Sequence, residues 1–264
     1  MIRRLLGMLA VVALATAASA AVPSPSAAVD GHQFWTLPQG PGYTKSARVI
    51  GHSASGRRIV AYYRGYEGAE HVLLVLGQMH GDESAGRRTA EFVRDRIVPR
   101  ERTGIWVVVS MNPDGAARGT RANARGVDLN RNWPTSGWTS AGRGGRYWGG
   151  PRRASEPETR AMIRFLREIK PDFIASIHQP LAAIGSSSRG VAWQRRLASN
   201  LGLPRRHLGV GNPSGTVSPT LTGWYDSTLG AHGVATTIEY GASPPRSFVT
   251  VRAADGITKA ALVR

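Results

Sequence analysis

Residues 71–83 read HVLLVLGQMHGDE: an apolar run that stops at Gly77 and is followed within six positions by His80, Asp82 and Glu83. A short, valine-rich run without polar alternation is the pattern of a β-strand covered on both faces. Three more stretches extend this reading. Residues 105–110 (IWVVVS) form a second such run, broken by an Asn112-Pro113-Asp114-Gly115 turn. Residues 172–177 (DFIASI) end directly in His178, and residues 234–238 (VATTI) end directly in Glu239. Residues 58–64 (RIVAYYR) suit an early edge strand. Between the strands, residues 84–97 place Ala90, Phe92, Val93 and Ile97 at helical spacing. A second helix is expected over 155–170, with Ser155 as N-cap, Glu158 completing a capping box, Pro157 in the first turn and Pro171 as the stop. Strands alternating with helices imply a single-domain α/β fold: an open, mixed or mostly parallel sheet with helices on both faces.

In open α/β sheets, ligands bind outside the carboxyl ends of the strands. Three of these runs deliver His80 with Glu83, His178 and Glu239 to that edge. Two histidines and one carboxylate are a common ligand set for catalytic zinc, which keeps one position open for water of lowered pKa. A further carboxylate is then needed to move protons. By itself H-x-x-E is a weak motif. It is equally consistent with a hydrogen-bonded histidine at a strand end, and Glu239 with a solvent-exposed carboxylate.

Composition narrows the alternatives. The 264 residues include no cysteine, which removes thiolate nucleophiles and thiolate metal ligands and leaves His, Asp and Glu as candidate ligands. The formal charge of +17 comes almost wholly from arginine, with lysine only at 45, 170 and 259. Such a surface attracts polyanions such as anionic cell wall. No basic stretch interleaved with aromatics accompanies it, so nucleic acid is not an expected partner. Residues 1–20 have the form of an export signal: Arg3 and Arg4, an apolar run over 5–15, and Ala18-Ser19-Ala20 before the cleavage point. The apolar run is too short to span a bilayer, and no later segment is long and apolar enough. A secreted or wall-associated protein without membrane insertion is expected. Residues 21–45, rich in Pro, Ser, Gly and Ala, are expected as a flexible leader, and 46–264 as one catalytic domain.

The stretch between the candidate ligands carries more specific information. After Asn112-Pro113-Asp114-Gly115 comes RANARGVDLNRNWP over residues 121–134. The order H-x-x-E, N-P-D-G, G-V-D-L-N-R-N, a later histidine and a glutamate near the C-terminus resembles the zinc carboxypeptidase family over residues 45–264. The Ser155-Glu156-Pro157-Glu158-Thr159 helix start and Pro180-Leu181-Ala182 after His178 are similar to its murein peptide amidase branch, which cleaves γ-D-glutamyl-meso-diaminopimelate bonds. The resemblance implies one zinc ion per chain held by His80, Glu83 and His178, with Glu239 as general base. It implies Arg121 as the group polarising the scissile carbonyl, and Asn130 with Arg131 as the clamp on the substrate's terminal carboxylate. The implied substrate is a peptide derived from the cell wall; a broad-specificity carboxypeptidase acting on ordinary extracellular peptides is the alternative. Deacylases on the same scaffold share H-x-x-E, but their substrates would not need the Asn130-Arg131 clamp.

Some assignments stay open in the sequence. Arg125 competes with Arg121, and His207 and His232 compete with His178. Asp128 reads as a turn cap, and Asn132 as either structural or cleft-lining. Tyr225 lies too close to Glu239 to match the substrate-capping tyrosine of digestive carboxypeptidases. Thr220, Thr222 and Trp224 are expected to border the pocket for the released residue, with no countercharge evident for a cationic side chain.

Overall fold

A computed structural model describes residues 41–139, 142–209 and 217–264. The expected export signal, and residues 21–40 of the expected leader, lie outside the described residues. The strands are β1 (Tyr43–His52), β2 (Arg58–Tyr66), β3 (His71–Leu76), β4 (Thr103–Val108), β5 (Phe173–His178), β6 (Leu181–Gly185), β7 (Arg205–Arg206) and β8 (Val234–Gly241). They form one eight-stranded sheet in the order β1-β2-β4-β3-β5-β8-β6-β7. The centre, β4-β3-β5-β8, is parallel throughout. Antiparallel β2 and β1 extend one side and antiparallel β6 the other, with β7 parallel to β6 at the far edge; the run over 58–64, expected at an edge, is instead the inner strand β2, because β1 pairs along its outer side. The sheet is therefore mixed with a parallel core, as the uninterrupted apolar runs predict. β1 starts at Tyr43 and takes the last three residues expected of the leader, because Tyr43 pairs with Tyr66 of β2.

Among the described residues, six α-helices accompany the sheet: α1 (Ala85–Arg96), α2 (Pro113–Arg118), α3 (Pro157–Ile169), α4 (Val191–Leu201), α5 (Leu221–Thr228) and α6 (Ala253–Ala260). One face carries a core in which Met162, Phe165 and Leu166 of α3 and Trp224 and Tyr225 of α5 pack with Leu74 and Leu76 of β3. Strand alternation turns Leu73 and Val75 to the opposite face, where α1 packs. No helix among the described residues is long and apolar enough to cross a membrane.

Two local expectations are corrected. Asn112-Pro113-Asp114-Gly115 begins α2 instead of forming a plain turn: the Asn112 side chain accepts from Gly115 N at 2.9 Å and proline occupies the first helical turn, where its missing N–H costs nothing. α3 is capped at Glu156 without a side-chain bond, so there is no capping box. The Ser155 hydroxyl instead donates to Glu156 at 2.7 Å, and Glu158 accepts from Ala54 N at 2.8 Å.

Candidate metal centre and cleft

β3 ends in a tight turn that carries His80 and Glu83, and this turn packs directly on the segment that carries Arg121. A Cβ on Gly81 would lie 2.0 Å from the Gly115 carbonyl carbon, so only glycine lets the two segments meet. Asn112 holds the second segment by donating from Nδ2 to Arg121 O at 3.3 Å. β5 delivers His178, and the parallel register sets Glu239 of β8 directly beside it. Four residues spread over 160 positions thus converge on one sheet edge.

The three expected ligands form the one metal-capable group of three or more His, Asp or Glu among the described residues, with ligand atoms all within 4.8 Å of one another. His80 Nδ1 lies 2.8 Å from Glu83 Oε1, His178 Nδ1 lies 2.9 Å from Glu83 Oε2, and the two Nδ1 atoms are 3.2 Å apart. All three residues are buried. The Nε2 of His80 faces Asp128 Oδ1 at 3.0 Å. An ionised carboxylate only accepts, so in the neutral ring the proton sits on Nε2 and the Nδ1 lone pair turns inward. Inward it meets a second ring nitrogen and a carboxylate. Lone pairs converging at this spacing fit a shared divalent cation, and two nitrogens plus one carboxylate suit zinc.

The protein's own charges are poised for such an ion. Burial works to raise the Glu83 carboxyl pKa, but the hydrogen bonds and charges of His178 and His80 outweigh it and hold it well below the usual range. Asp128 is held low in the same way: burial opposes, while His80, Arg121 and Arg131 prevail. Glu239 goes the other way. Its burial raises the carboxyl pKa despite the charge of His178 and a backbone donor from Leu181 at 3.3 Å. One carboxylate is thereby suited to ligation and its neighbour to proton exchange.

Asp128 does more than cap a turn. Its Oδ1 accepts from Asn130 N at 2.9 Å, while its Oδ2 accepts from Arg121 Nε and Nη2 at 3.1 and 2.8 Å. Arg121 Nη1 in turn donates to Glu83 Oε1 at 3.1 Å. The D-L-N-R order was the available signal, since an acid two residues before Asn130 caps the 3₁₀ turn Leu129–Arg131 and fixes where Asn130 and Arg131 emerge. Asn130 Oδ1 accepts from Leu221 N at 3.1 Å, which leaves its NH₂ end for the cleft. Arg131 is buried and lines the same cleft.

That cleft, of roughly 370 Å³, is lined by the three ligand residues, Glu239, Arg121, Asn130 and Arg131. The structure thus brings every expected site residue together. Thr220 and Thr222 border it as expected, but Trp224 does not: it is buried against Trp133 with ring centroids 5.2 Å apart. Arg125 is excluded from the site, pairing with Glu156 at 3.7 Å and lining a separate pocket. His207 reaches the cleft without joining the ligand group, and His232 is exposed and outside it. Tyr225 is fully buried with its hydroxyl donated to Pro171 O. Asn132 is structural, binding Gly149 O, Arg152 O and Ser155 Oγ through Nδ2. The missed residue is Asp226, on α5, a carboxylate that lines the cleft where the sequence showed no acid. Burial lifts its carboxyl to about 6, against an amide donor from Ala235 and the charge of Arg189. Its helical position, one turn past Thr222, was the only available signal, and α5 itself was not expected.

A His-His-Glu candidate metal site at the carboxyl edge of a mixed α/β sheet, with an adjacent glutamate of raised pKa and two arginines, is the arrangement of a metal-dependent hydrolase. The profile of the zinc carboxypeptidase family matches residues 42–185, more than half of the chain. The protein belongs to the zinc carboxypeptidase family. Murein peptide amidase A of Escherichia coli is 37% identical over 123 residues, covering 42% of this chain and 50% of that protein. The human carboxypeptidase N catalytic chain is 33% identical over 177 residues, covering 52% and 38%. The chain thus spans half or less of the length of these curated relatives. Among solved structures, the murein-tripeptide amidase of E. coli O157 superposes with a TM-score of 0.65 at 24% identity, over 85% of this chain and 94% of that one. Carboxypeptidase A of Helicoverpa armigera gives 0.67 at 16%, over 84% and 69%. At these identities the superpositions establish the fold.

Proposed function

We propose that this protein is an exported zinc peptidase that releases the C-terminal diaminopimelate from murein peptides by hydrolysing its amide bond to γ-D-glutamate. The observation that carries the reading is a single cleft whose lining includes Asn130, Arg131 and the half-buried acid Asp226 together with the candidate metal ligands. The relatives named murein peptide amidase support the substrate class. His80, Glu83 and His178 would hold the zinc ion, which would supply Lewis acidity toward the scissile carbonyl and a water of lowered pKa. Glu239, with its carboxyl pKa raised by burial, takes the proton from the attacking water and returns it to the leaving nitrogen. Arg121, fixed between Glu83 and Asp128, keeps positive charge beside the oxygen that becomes negative. Arg131 pairs with the substrate's terminal carboxylate while Asn130 orients it. Asp226 pairs with the ammonium at the far end of diaminopimelate, and the hydroxyls of Thr220 and Thr222 serve the adjacent carboxylate.

Export rests on the signal-like residues 1–20, and attraction to anionic wall polymers on the +17 charge. A second reading also draws on Asp226: a carboxypeptidase acting on ordinary peptides that end in lysine. Hydrolysis of L-Ala-γ-D-Glu-meso-diaminopimelate, run beside L-peptides ending in Lys, Leu and Glu with and without chelator, separates the two. Chelator-sensitive release of diaminopimelate with little action on the panel supports the murein reading. Release of lysine alone overturns that substrate and leaves the zinc chemistry in place. No hydrolysis of any member by zinc-loaded protein sinks both.

A further inference from the structure

One exposed aromatic side chain at the mouth of the cleft has no place in the reading above. Tyr147 lines the cleft and is 45% exposed, one of the few large apolar side chains left in solvent. Its ring centroid lies 5.2 Å from the Arg131 guanidinium carbon and 5.5 Å from that of Arg121. Arg146 approaches the same ring at 6.0 Å.

The segment that presents Tyr147 is fastened to the turn that carries Asn130 and Arg131. Asp128 N donates to Trp148 O at 2.8 Å, and Asn132 Nδ2 and Trp138 Nε1 both donate to Gly149 O, at 2.7 and 3.1 Å. The fit is close enough that a Cβ on Gly149 would sit 2.4 Å from Arg131 O. Three hydrogen bonds and a glycine contact therefore set the height of one solvent-facing ring above two arginines. Those arginines repel each other: burial and the nearby Arg121 charge both disfavour protonated Arg131. An aromatic face offsets such repulsion, because its negative quadrupole attracts both cations, and it restrains the planar guanidinium groups.

We infer that Tyr147 is a positioning residue whose ring splints Arg131 beside Arg121, so that the substrate's terminal carboxylate meets a guanidinium already held in place. This rests on the carboxylate-clamp reading of Arg131 given above. The ring, not the hydroxyl, carries the effect, so phenylalanine should substitute for tyrosine and alanine should not.

The test compares wild type, Tyr147→Phe and Tyr147→Ala on whichever peptide class the wild type hydrolyses, each peptide as free acid and as C-terminal amide. Tyr147→Ala should raise KM for the acid about 5- to 30-fold, with kcat within about threefold, and should shrink the acid-over-amide preference by the same factor. Tyr147→Phe should stay within about twofold of wild type. The inference is overturned if alanine leaves KM and the acid-over-amide ratio unchanged, or if Phe fails as badly as Ala. It is also overturned if the alanine variant loses acid and amide activity equally along with thermal stability, which marks a structural role only. A wild type without acid preference sinks the clamp reading instead. Calorimetric binding of N-acetyl-L-alanine to the wild type and Tyr147→Ala then decides the inference by itself: about 5-fold or more weaker binding to the variant supports it, and equal affinities, or no detectable binding to either, overturn it.

Discussion

Replacing Asp226 by asparagine should weaken one activity and strengthen the fold. The carboxylate lines the cleft and accepts from Ala235 N at 2.9 Å through Oδ1, an acceptor that asparagine keeps. What the substitution removes is the charge. A charge-assisted hydrogen bond to a substrate ammonium contributes about 1.5–3 kcal/mol, so kcat/KM for a substrate with an ammonium-bearing terminal residue should fall roughly 10- to 150-fold. A substrate ending in leucine should change by less than about threefold. Stability should move the opposite way. Burial raises the Asp226 pKa from 3.8 to about 6, so at neutral pH the folded protein holds a carboxylate that its surroundings disfavour. Discounted for its partial exposure, that penalty is about 1–2 kcal/mol, or a few degrees in Tm for a chain of this size.

The pH dependence follows from the same numbers. Between the unfolded value near 3.8 and the folded value near 6, the folded state keeps a proton that the unfolded chain has released. Stability attributable to Asp226 therefore falls as pH rises through this window and is lowest above it. The Tm advantage of Asp226→Asn should be full at pH 7 and gone below about pH 4, read by differential scanning calorimetry with zinc saturating at each pH. Below about pH 6 the wild type should also lose its preference for the ammonium-bearing substrate, while the variant shows no such limb. Equal losses on both substrates, or a variant less stable than wild type at pH 7, would refute the assignment of Asp226 as a half-buried countercharge facing the substrate.

Glu239→Gln should retain zinc at one equivalent by metal analysis while kcat falls by 10² or more, since the amide cannot exchange the proton; retained turnover would remove Glu239 from the chemistry. Asp128→Ala removes the acceptor that sets the His80 proton and the partner of Arg121, and should weaken zinc binding about 10- to 100-fold in a competition titration with a chromophoric chelator. An unchanged affinity would show that the Asp128–His80 contact does not orient the ligand. Chelation should lower Tm by roughly 5–10 °C if zinc had been present at about a hundred times its dissociation constant; coincident melting curves would mean that the His80, Glu83 and His178 cluster binds no metal in the folded protein.

The parallel centre of the sheet could be read from the chain because its strands are buried on both faces and their apolar runs have no competing period. The helices around residues 90 and 160 were visible through their amphipathic spacing. The outer strands β1, β6 and β7 and helix α5 were not, since they are short or mix polar and apolar types and their structure comes from pairing with neighbours already in place. The capping box failed for a related reason: buried Glu158 is engaged by Ala54 N, a contact 104 positions away that no local pattern contains. The candidate ligands and the Asn130-Arg131 pair were visible as motifs because each sits at a strand end or in a tight turn. Asp226 was invisible because its role depends on which side of α5 faces the cleft.

The geometry also explains why the D-L-N-R-N stretch is as informative as the ligand motif. Asp128 accepts from His80 and Arg121 with its side chain and, through its turn, fixes the exit directions of Asn130 and Arg131. A shift of this carboxylate would rotate His80, release Arg121 and displace Asn130 and Arg131 together. The candidate metal centre and the proposed clamp are therefore one hydrogen-bonded unit, and substitutions within it should be strongly non-additive. Double variants of Asp128 with Arg121 should cost little more than the worse single change, because each single change already leaves the partner's charge buried without its counterion.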